Sequence, residues 1–170
     1  MAPYFDRGNF ETVMDHHLST LLQAALNLTG ADMGTLQVAI GPRLRLAASH
    51  GFGDAFLDFF ESVEDDSCAC GTALATGAPV IVEDVRTSPI FAGKPSGAVM
   101  LAAGSLSVVS VPITTNGRTL GMLSTHRRTL AVPTPAALAR LHWLSREAAG
   151  ILEGTASGLS LRALDVLARG

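Results

Sequence analysis

The sequence is poor in charge, in lysine and in cysteine. Charged residues make up 16% of the 170, and the basic ones are scattered arginines plus a single lysine, Lys94. No basic stripe marks a nucleic-acid surface, and a net charge of −3 points the same way. No apolar run reaches the roughly 18 residues that a membrane-spanning helix needs. The opening MAPYFDRGNF lacks the basic and apolar regions of a secretory signal. The two cysteines, Cys68 and Cys70, together with that missing signal, suit a reduced, cytoplasmic protein. What the chain does have is apolar bulk: 48% of its residues are hydrophobic, enough for one domain with an ample core. It carries no internal repeat and no low-complexity tract.

Its organising stretch is SLSVVSVPITTNGRTLGMLSTHRR, residues 105–128. Two alternating apolar runs flank Asn116-Gly117, a pair suited to the positive φ angles of a type I′ hairpin turn. Leu106, Val108, Ser110 and Pro112 fall on one face of the first run, and Val109, Val111 and Ile113 on the other. Leu120, Met122 and Ser124 share a face of the second run, opposite Gly121 and Leu123. Both faces are largely apolar, so the spacing predicts a hairpin covered on both sides, in the middle of a sheet.

Helical spacing of Phe10, Met14, Leu18, Leu21, Ala25 and Leu28 predicts a first helix that Gly30 stops. A hairpin follows over residues 33–40 and 44–49, with Leu36, Val38 and Ile40 on one face and Leu44, Leu46 and Ala48 sharing a face of the return strand. Asp54 is placed to cap a short helix whose Phe56, Leu57, Phe59, Phe60 and Val63 form a heavy apolar face. A polar, cysteine-bearing segment (64–71) leads into a short helix, 72–76. Residues 79–83 read as an edge strand, 84–94 as a loop, and Ser96 as the cap of a small helix ending near Gly104. Thr134 and Pro135 start a last long helix, striped by Leu138, Leu141, Leu144, Ala148 and Ile151 and stopped by Gly154. Residues 155–170 read as a tail, at most a weak helix. Arg127-Arg128 reads as a solvated strand end.

This order of elements resembles that of a GAF domain. The likeness is carried by ADMGTLQV and LRLAASHGF, then Cys70-Gly71, VIVEDVRTSPIF and SVVSVPITTNGRTLGMLSTH, in the family's order and spacing. It covers about residues 9–153, so we expect a GAF domain over 1–154 and a separate tail over 155–170. The resemblance implies an α+β fold: an antiparallel five- to six-stranded sheet, with the long first and last helices on one face. Short helices and loops would cover a pocket on the other. It also implies a bacterial sensory or regulatory module that binds a small molecule, although a fold alone names no ligand.

On that layout, the candidate ligand-binding residues are Cys70, Ser110, Met122 and Ser124, with Asp84, Arg86, Ser88 and Phe91 on the loop that closes the cavity. Asp84 and Ser88 can equally be read as turn-forming residues that bond their own backbone. Cys70 reads as a small buried thiol in apolar surroundings, a slow nucleophile unless Arg86 reaches it. Cys68 has no family counterpart and reads as exposed, and a disulfide between the two cysteines would be badly strained. No further ligands stand at metal-binding spacing near them.

Free methionine sulfoxide reductases are GAF domains used as thiol enzymes, and CGTALATG with IVEDV resembles their sequence around one cysteine. The loop that carries their catalytic cysteine reads Ile90-Phe91-Ala92-Gly93-Lys94 here and has none. Residues 96–104, SGAVMLAAG, lack the cysteine and histidine of bilin-binding relatives, and the residue set of cyclic-nucleotide binders is also missing. His126 and Met122 are the candidate axial ligands a haem would require; no cofactor is assigned. Two alternatives stand beside the sensory module: a thiol-dependent reductase and a purely structural dimerisation domain. Leu22, Leu26, Trp143 and Leu152 exceed what one sheet face needs, so we expect a homodimer through helices 10–29 and 134–153, with Trp143 as an exposed contact. We expect neither nucleic acid nor membrane as a partner.

Overall fold

The computed structural model describes residues 7–170, with side chains from Val13 onward. The side chain of Phe10, the first of the expected stripe, lies outside the described residues. In chain order the elements are α1 (Arg7–Thr29), β1 (Met33–Ile40), β2 (Arg43–His50), α2 (Asp54–Phe60), β3 (Ser62–Val63) and α3 (Ala69–Thr76). There follow β4 (Val80–Val82), α4 (Pro95–Ala102), β5 (Ser107–Thr115), β6 (Arg118–Arg127), α5 (Pro135–Glu153) and α6 (Gly158–Arg169). The strands form one antiparallel six-stranded sheet in the order β3-β2-β1-β6-β5-β4.

The β5–β6 hairpin lies inside the sheet, with β1 beside β6 and the short edge strand β4 beside β5. Its turn residues Asn116 and Gly117 take φ 48° and 73°, the two positive values that match the turn to the strands' own twist. Because side chains alternate along a strand, the hairpin feeds two separate cores. Val109, Val111, Ile113 and Leu123 pack with Leu36 against Leu18, Leu21 and Ala25 of α1 and Leu141, Leu144 and Ala148 of α5. On the opposite face, Val108 and Met122 pack with Phe56, Phe60, Ala73, Phe91 and Met100. Thr134 caps α5 by accepting a bond from Ala137 N at 3.1 Å, and Gly154 ends it at φ 71°.

Several local expectations are corrected. Leu44, Leu46 and Ala48 do not share a face: Leu44 lies in the pocket-side core and Ala48 in the helix-side core. A β-bulge causes this. Leu36 pairs with Ala48 but Gln37 pairs with Leu46, so Ala47 is the extra residue and the alternation flips there. Gly53, not Asp54, precedes α2; Asp54 is its first residue, where a carboxylate favours the helix dipole. Phe59 is turned outward and Val63 belongs to β3. α3 starts at Ala69 rather than Thr72, because Cys68 provides its cap. α4 starts at Pro95, and the Ser96 hydroxyl instead donates to the Ser67 carbonyl.

The arginine pair is not merely solvated. Arg127 donates to the Thr29 and Gly30 carbonyls at the end of α1, and Arg128 to the Ala103 carbonyl at the end of α4. Each guanidinium meets the negative end of a helix dipole. The tail is a firm helix. Ser157 caps α6, Leu164 is buried, and Asn27 of α1 donates to the Leu167 and Ala168 carbonyls at 2.9 and 3.0 Å. Its stripe gains from packing what its propensity alone could not supply.

The apolar excess read on the long helices is largely consumed within the chain. Leu22 and Leu26 are buried over Gly34, where an added Cβ would lie 2.9 and 3.0 Å from their methyl groups. Trp143 and Leu152 are half-buried against the same core, so the indole is not the exposed contact expected. Among the described residues, no helix is long and apolar enough to cross a membrane.

Candidate functional site

The antiparallel register sets three rows of side chains across β1, β6 and β5 on the face away from α1 and α5. Directly paired residues in such a sheet point the same way. One row is Met33–His126–Val108, the next Thr35–Ser124–Ser110, and the third Gln37–Met122–Pro112. The middle row is entirely hydroxyl. Ser110 Oγ and Ser124 Oγ lie 2.7 Å apart, and all three hydroxyl residues are buried.

Over this floor sits a cavity of about 20 Å³, room for about one water. Its floor is Thr35, Gln37, Val108, Ser110, Ser124 and His126; its cover is Phe56, Phe60, Phe91, Met100 and the start of α3, Cys68-Ala69-Cys70. The cover is held down locally. The loop before α3 runs so close to the helix that a Cβ on Gly71 would sit 1.7 Å from the Asp65 carbonyl oxygen, so only glycine fits there. The Ser96–Ser67 bond ties α4 to the same loop.

Gln37 is 1% exposed, and its Oε1 has no hydrogen-bond partner. A buried amide oxygen left unpaired costs about 1–3 kcal/mol, and Gln37 itself lines the cavity. His126 is also enclosed: Nδ1 lies 2.9 Å from Ser105 Oγ, and the ring meets Phe52 and Phe56 edge-on at 5.0 and 5.9 Å between centroids. Burial lowers its pKa to about 3, so the imidazole is neutral.

Cys68 is buried, not exposed as expected. Its Sγ lies 3.1 Å from Cys70 Sγ and accepts a bond from Gly71 N at 3.3 Å, at the first turn of α3. Both are free thiols. Hydrogen bonds from Cys70 and then from the Gly71 N–H favour the Cys68 thiolate and lower its pKa, against the opposing pull of burial. The same contact with Cys68, then burial, pushes the Cys70 thiol well up.

Four residues named from the sequence, Cys70, Phe91, Ser110 and Ser124, come together around this cavity. The other four do not. Met122 is packed into the core beside it. Asp84 holds Arg86 in a two-pronged ion pair at 2.8 and 2.9 Å on the exposed loop; that pair depresses the carboxyl pKa and occupies the guanidinium, which is therefore not spent on a thiol. Ser88 accepts a bond from Ile90 N at 3.3 Å, a turn-forming role. Thr35, Gln37 and Met100 were not singled out, Phe56 and Phe60 were read as core, and Cys68 as exposed; all six line the cavity. A signal for two of them was present: Leu36 and Val38 alternate with Thr35 and Gln37, and since the first pair packs on the helix side, the second lies on the other covered face. Among the described residues, no group of three or more histidine, cysteine or acidic side chains is placed to hold a metal ion.

The sequence profile of the GAF domain matches residues 12–153. The chain belongs to the GAF domain family. No curated protein matches it. Among solved structures, the domain is similar to the GAF domain/HD domain protein of Geobacter sulfurreducens, with 18% identity and a TM-score of 0.71 over 88% of this chain and 98% of that one. It is similar to the GAF domain of a two-component sensor histidine kinase from Bacillus halodurans, with 17% identity and a TM-score of 0.69 over 82% and 93% of the two chains. It is also similar to the type II free methionine-R-sulfoxide reductase of Thermoplasma acidophilum, with 16% identity and a TM-score of 0.70 over 86% and 96%. At such identities the shared property is the fold; a GAF domain can serve a sensor or an enzyme.

Proposed function

We propose that this GAF domain is a non-catalytic sensory or regulatory module that binds a small, uncharged polar molecule on the pocket face of its sheet. The observation that carries this reading is the unpaired Oε1 of Gln37, buried on a floor of hydroxyl groups. The lining offers neutral hydrogen-bond groups and aromatic cover, and no lysine, arginine or carboxylate to pair with a charged ligand. The cavity seats about one water as it stands, so binding requires the cover formed by α2, α4 and the start of α3 to lift.

Occupancy would be relayed through the sheet itself. Thr35 and Ser124 touch the pocket, while their neighbours Leu36 and Leu123 pack on α1 and α5. The reading includes a homodimer through helices 10–29 and 134–153, where Val13 is exposed and Trp143 and Leu152 stay half-buried. Native mass spectrometry of freshly purified protein tests both parts. A dimer that retains a small-molecule mass, lost in Gln37→Met, is the expected result. A ligand-free monomer, with no thermal shift from a panel of small amides and polyols, overturns it. Turnover of free methionine sulfoxide would instead favour a thiol-dependent reductase.

A further inference from the structure

We infer that Cys68 and Cys70 form a two-thiol oxidation site, in which a hydroperoxide small enough to enter the cavity converts the pair to an intramolecular disulfide. This goes beyond ligand binding and does not depend on it. Three placements carry the inference. The sulfurs are 3.1 Å apart, within reach of one another, and the strain of a disulfide across so short a span makes the oxidised form readily reversed by an external thiol. Both thiols line the cavity, beside space for a molecule near the size of water. The two are unequal: Cys68 sits at the cap of α3 with Gly71 N–H directed at its sulfur, and Cys70 lies one residue inside the helix.

That inequality assigns the roles. The helix N-terminus and the Gly71 N–H stabilise negative charge on Cys68, which makes it the attacking thiolate. Burial and the neighbouring Cys68 keep Cys70 protonated, which suits a resolving thiol. In the first step, the Cys68 thiolate attacks the near oxygen of the hydroperoxide. An S–O bond forms, the O–O bond breaks, and the departing alkoxide or hydroxide takes a proton from solvent. In the second step, Cys70 sulfur attacks Cys68 sulfur, the S–O bond breaks, and hydroxide leaves as water with the Cys70 proton. The net change is two thiols and one hydroperoxide to one disulfide, one alcohol (or water) and one water. Closing the bond turns the sulfur that now accepts from Gly71 N–H into a weaker acceptor, and so acts on the cover at the point where Gly71 and Ser67 fix it.

The test is intact-mass analysis of the full chain after treatment with hydrogen peroxide, with free thiols blocked by iodoacetamide under denaturing conditions. The oxidised chain should be about 2 Da lighter before blocking, should accept no alkyl group, and should recover both thiols with dithiothreitol. In Cys70→Ser, dimedone should trap a sulfenic acid on Cys68. In Cys68→Ser, which keeps a good helix cap, Cys70 should stay reduced at the same peroxide concentration. Bulky cumene hydroperoxide should react at least about tenfold more slowly, since the cavity is small and its cover closed. Two alkylatable thiols after peroxide, a disulfide between chains, or equal rates with the two oxidants would each overturn the inference. The wild-type mass measurement decides even if a serine variant fails to fold.

Discussion

Leu123 and Ser124 are neighbours on one strand, yet they belong to different kinds of protein interior. Leu123 faces α1 and α5 in a row with Leu36 and Val111, all apolar and all buried. Ser124 faces the cavity in a row with Thr35 and Ser110, equally buried and all polar. Two faces of one sheet thus share strands, register and burial but not chemistry. The helix face is built for stability. The pocket face keeps an unpaired amide oxygen, a neutral histidine and two thiols in contact, none of which a sheet needs in order to fold.

The largest expected effect breaks the comparison at that pair. Leu123→Ala should lose about 2–5 kcal/mol, as buried leucines do when they leave a cavity. The double variant Ser110→Ala/Ser124→Ala removes both partners of one hydrogen bond and should change stability by less than about 1 kcal/mol. Urea unfolding of the two variants checks this; comparable losses would mean that the hydroxyl row contributes as much to stability as the leucine row.

His126 gives the next effect, through pH. Its pKa is about 3 in the folded chain against an ordinary 6.5, so below pH 6.5 the unfolded chain takes up a proton that the folded chain refuses. The contribution of the neutral ring is therefore complete above pH 6.5. It should fall by about 1.4 kcal/mol per pH unit as pH drops toward 3. His126→Gln should show a shallower pH dependence in that window. Identical slopes for the two proteins would place the histidine in contact with water.

The smallest effect is the most diagnostic. Gln37→Met keeps the side chain's volume and removes the unpaired oxygen, so it should stabilise the ligand-free protein by about 1 kcal/mol. A loss of stability would show that the amide is already satisfied without a ligand. A gain would mark the pocket face as held away from its stability optimum.

Much of the architecture was legible because its signals are local. Asn116-Gly117 fixes a turn through two positive φ angles, Thr134-Pro135 starts a helix, and Gly154 ends one. The alternation along 105–127 assigns most of the hairpin's faces, but Leu120, expected beside Met122 and Ser124, packs in the helix-side core with Leu123, because a second bulge, opposite Ile113 and Thr114, makes it the extra residue. The β2 reading failed because a bulge adds one residue at Ala47, and a two-residue period cannot survive an insertion that only the partner strand reveals. The tail was read as weak because its stability comes from α1, through Leu164 and the Asn27 bonds. The candidate site was half legible. Cys70, Phe91, Ser110 and Ser124 were placed correctly from a family layout, whereas Asp84 and Arg86, put by the same layout on the loop that closes the cavity, pair with each other on its exposed side.

By itself, the sequence determined which residues alternate, where the chain turns, where helices start and stop, and that one sheet would be covered on both sides. These follow from backbone sterics and from the periods of the helix and the strand, and each acts over a few residues. Only the tertiary structure decided that Thr35, Ser124 and Ser110 form one row, that Gln37 ends without a partner, and that Cys68 turns inward to meet Cys70. Those outcomes depend on the register of β1 against β6, where Val38 meets Gly121 and Met33 meets His126 from far along the chain, and on a loop pressed against Gly71. Such contacts are set by how well distant surfaces fit, and no local preference encodes them.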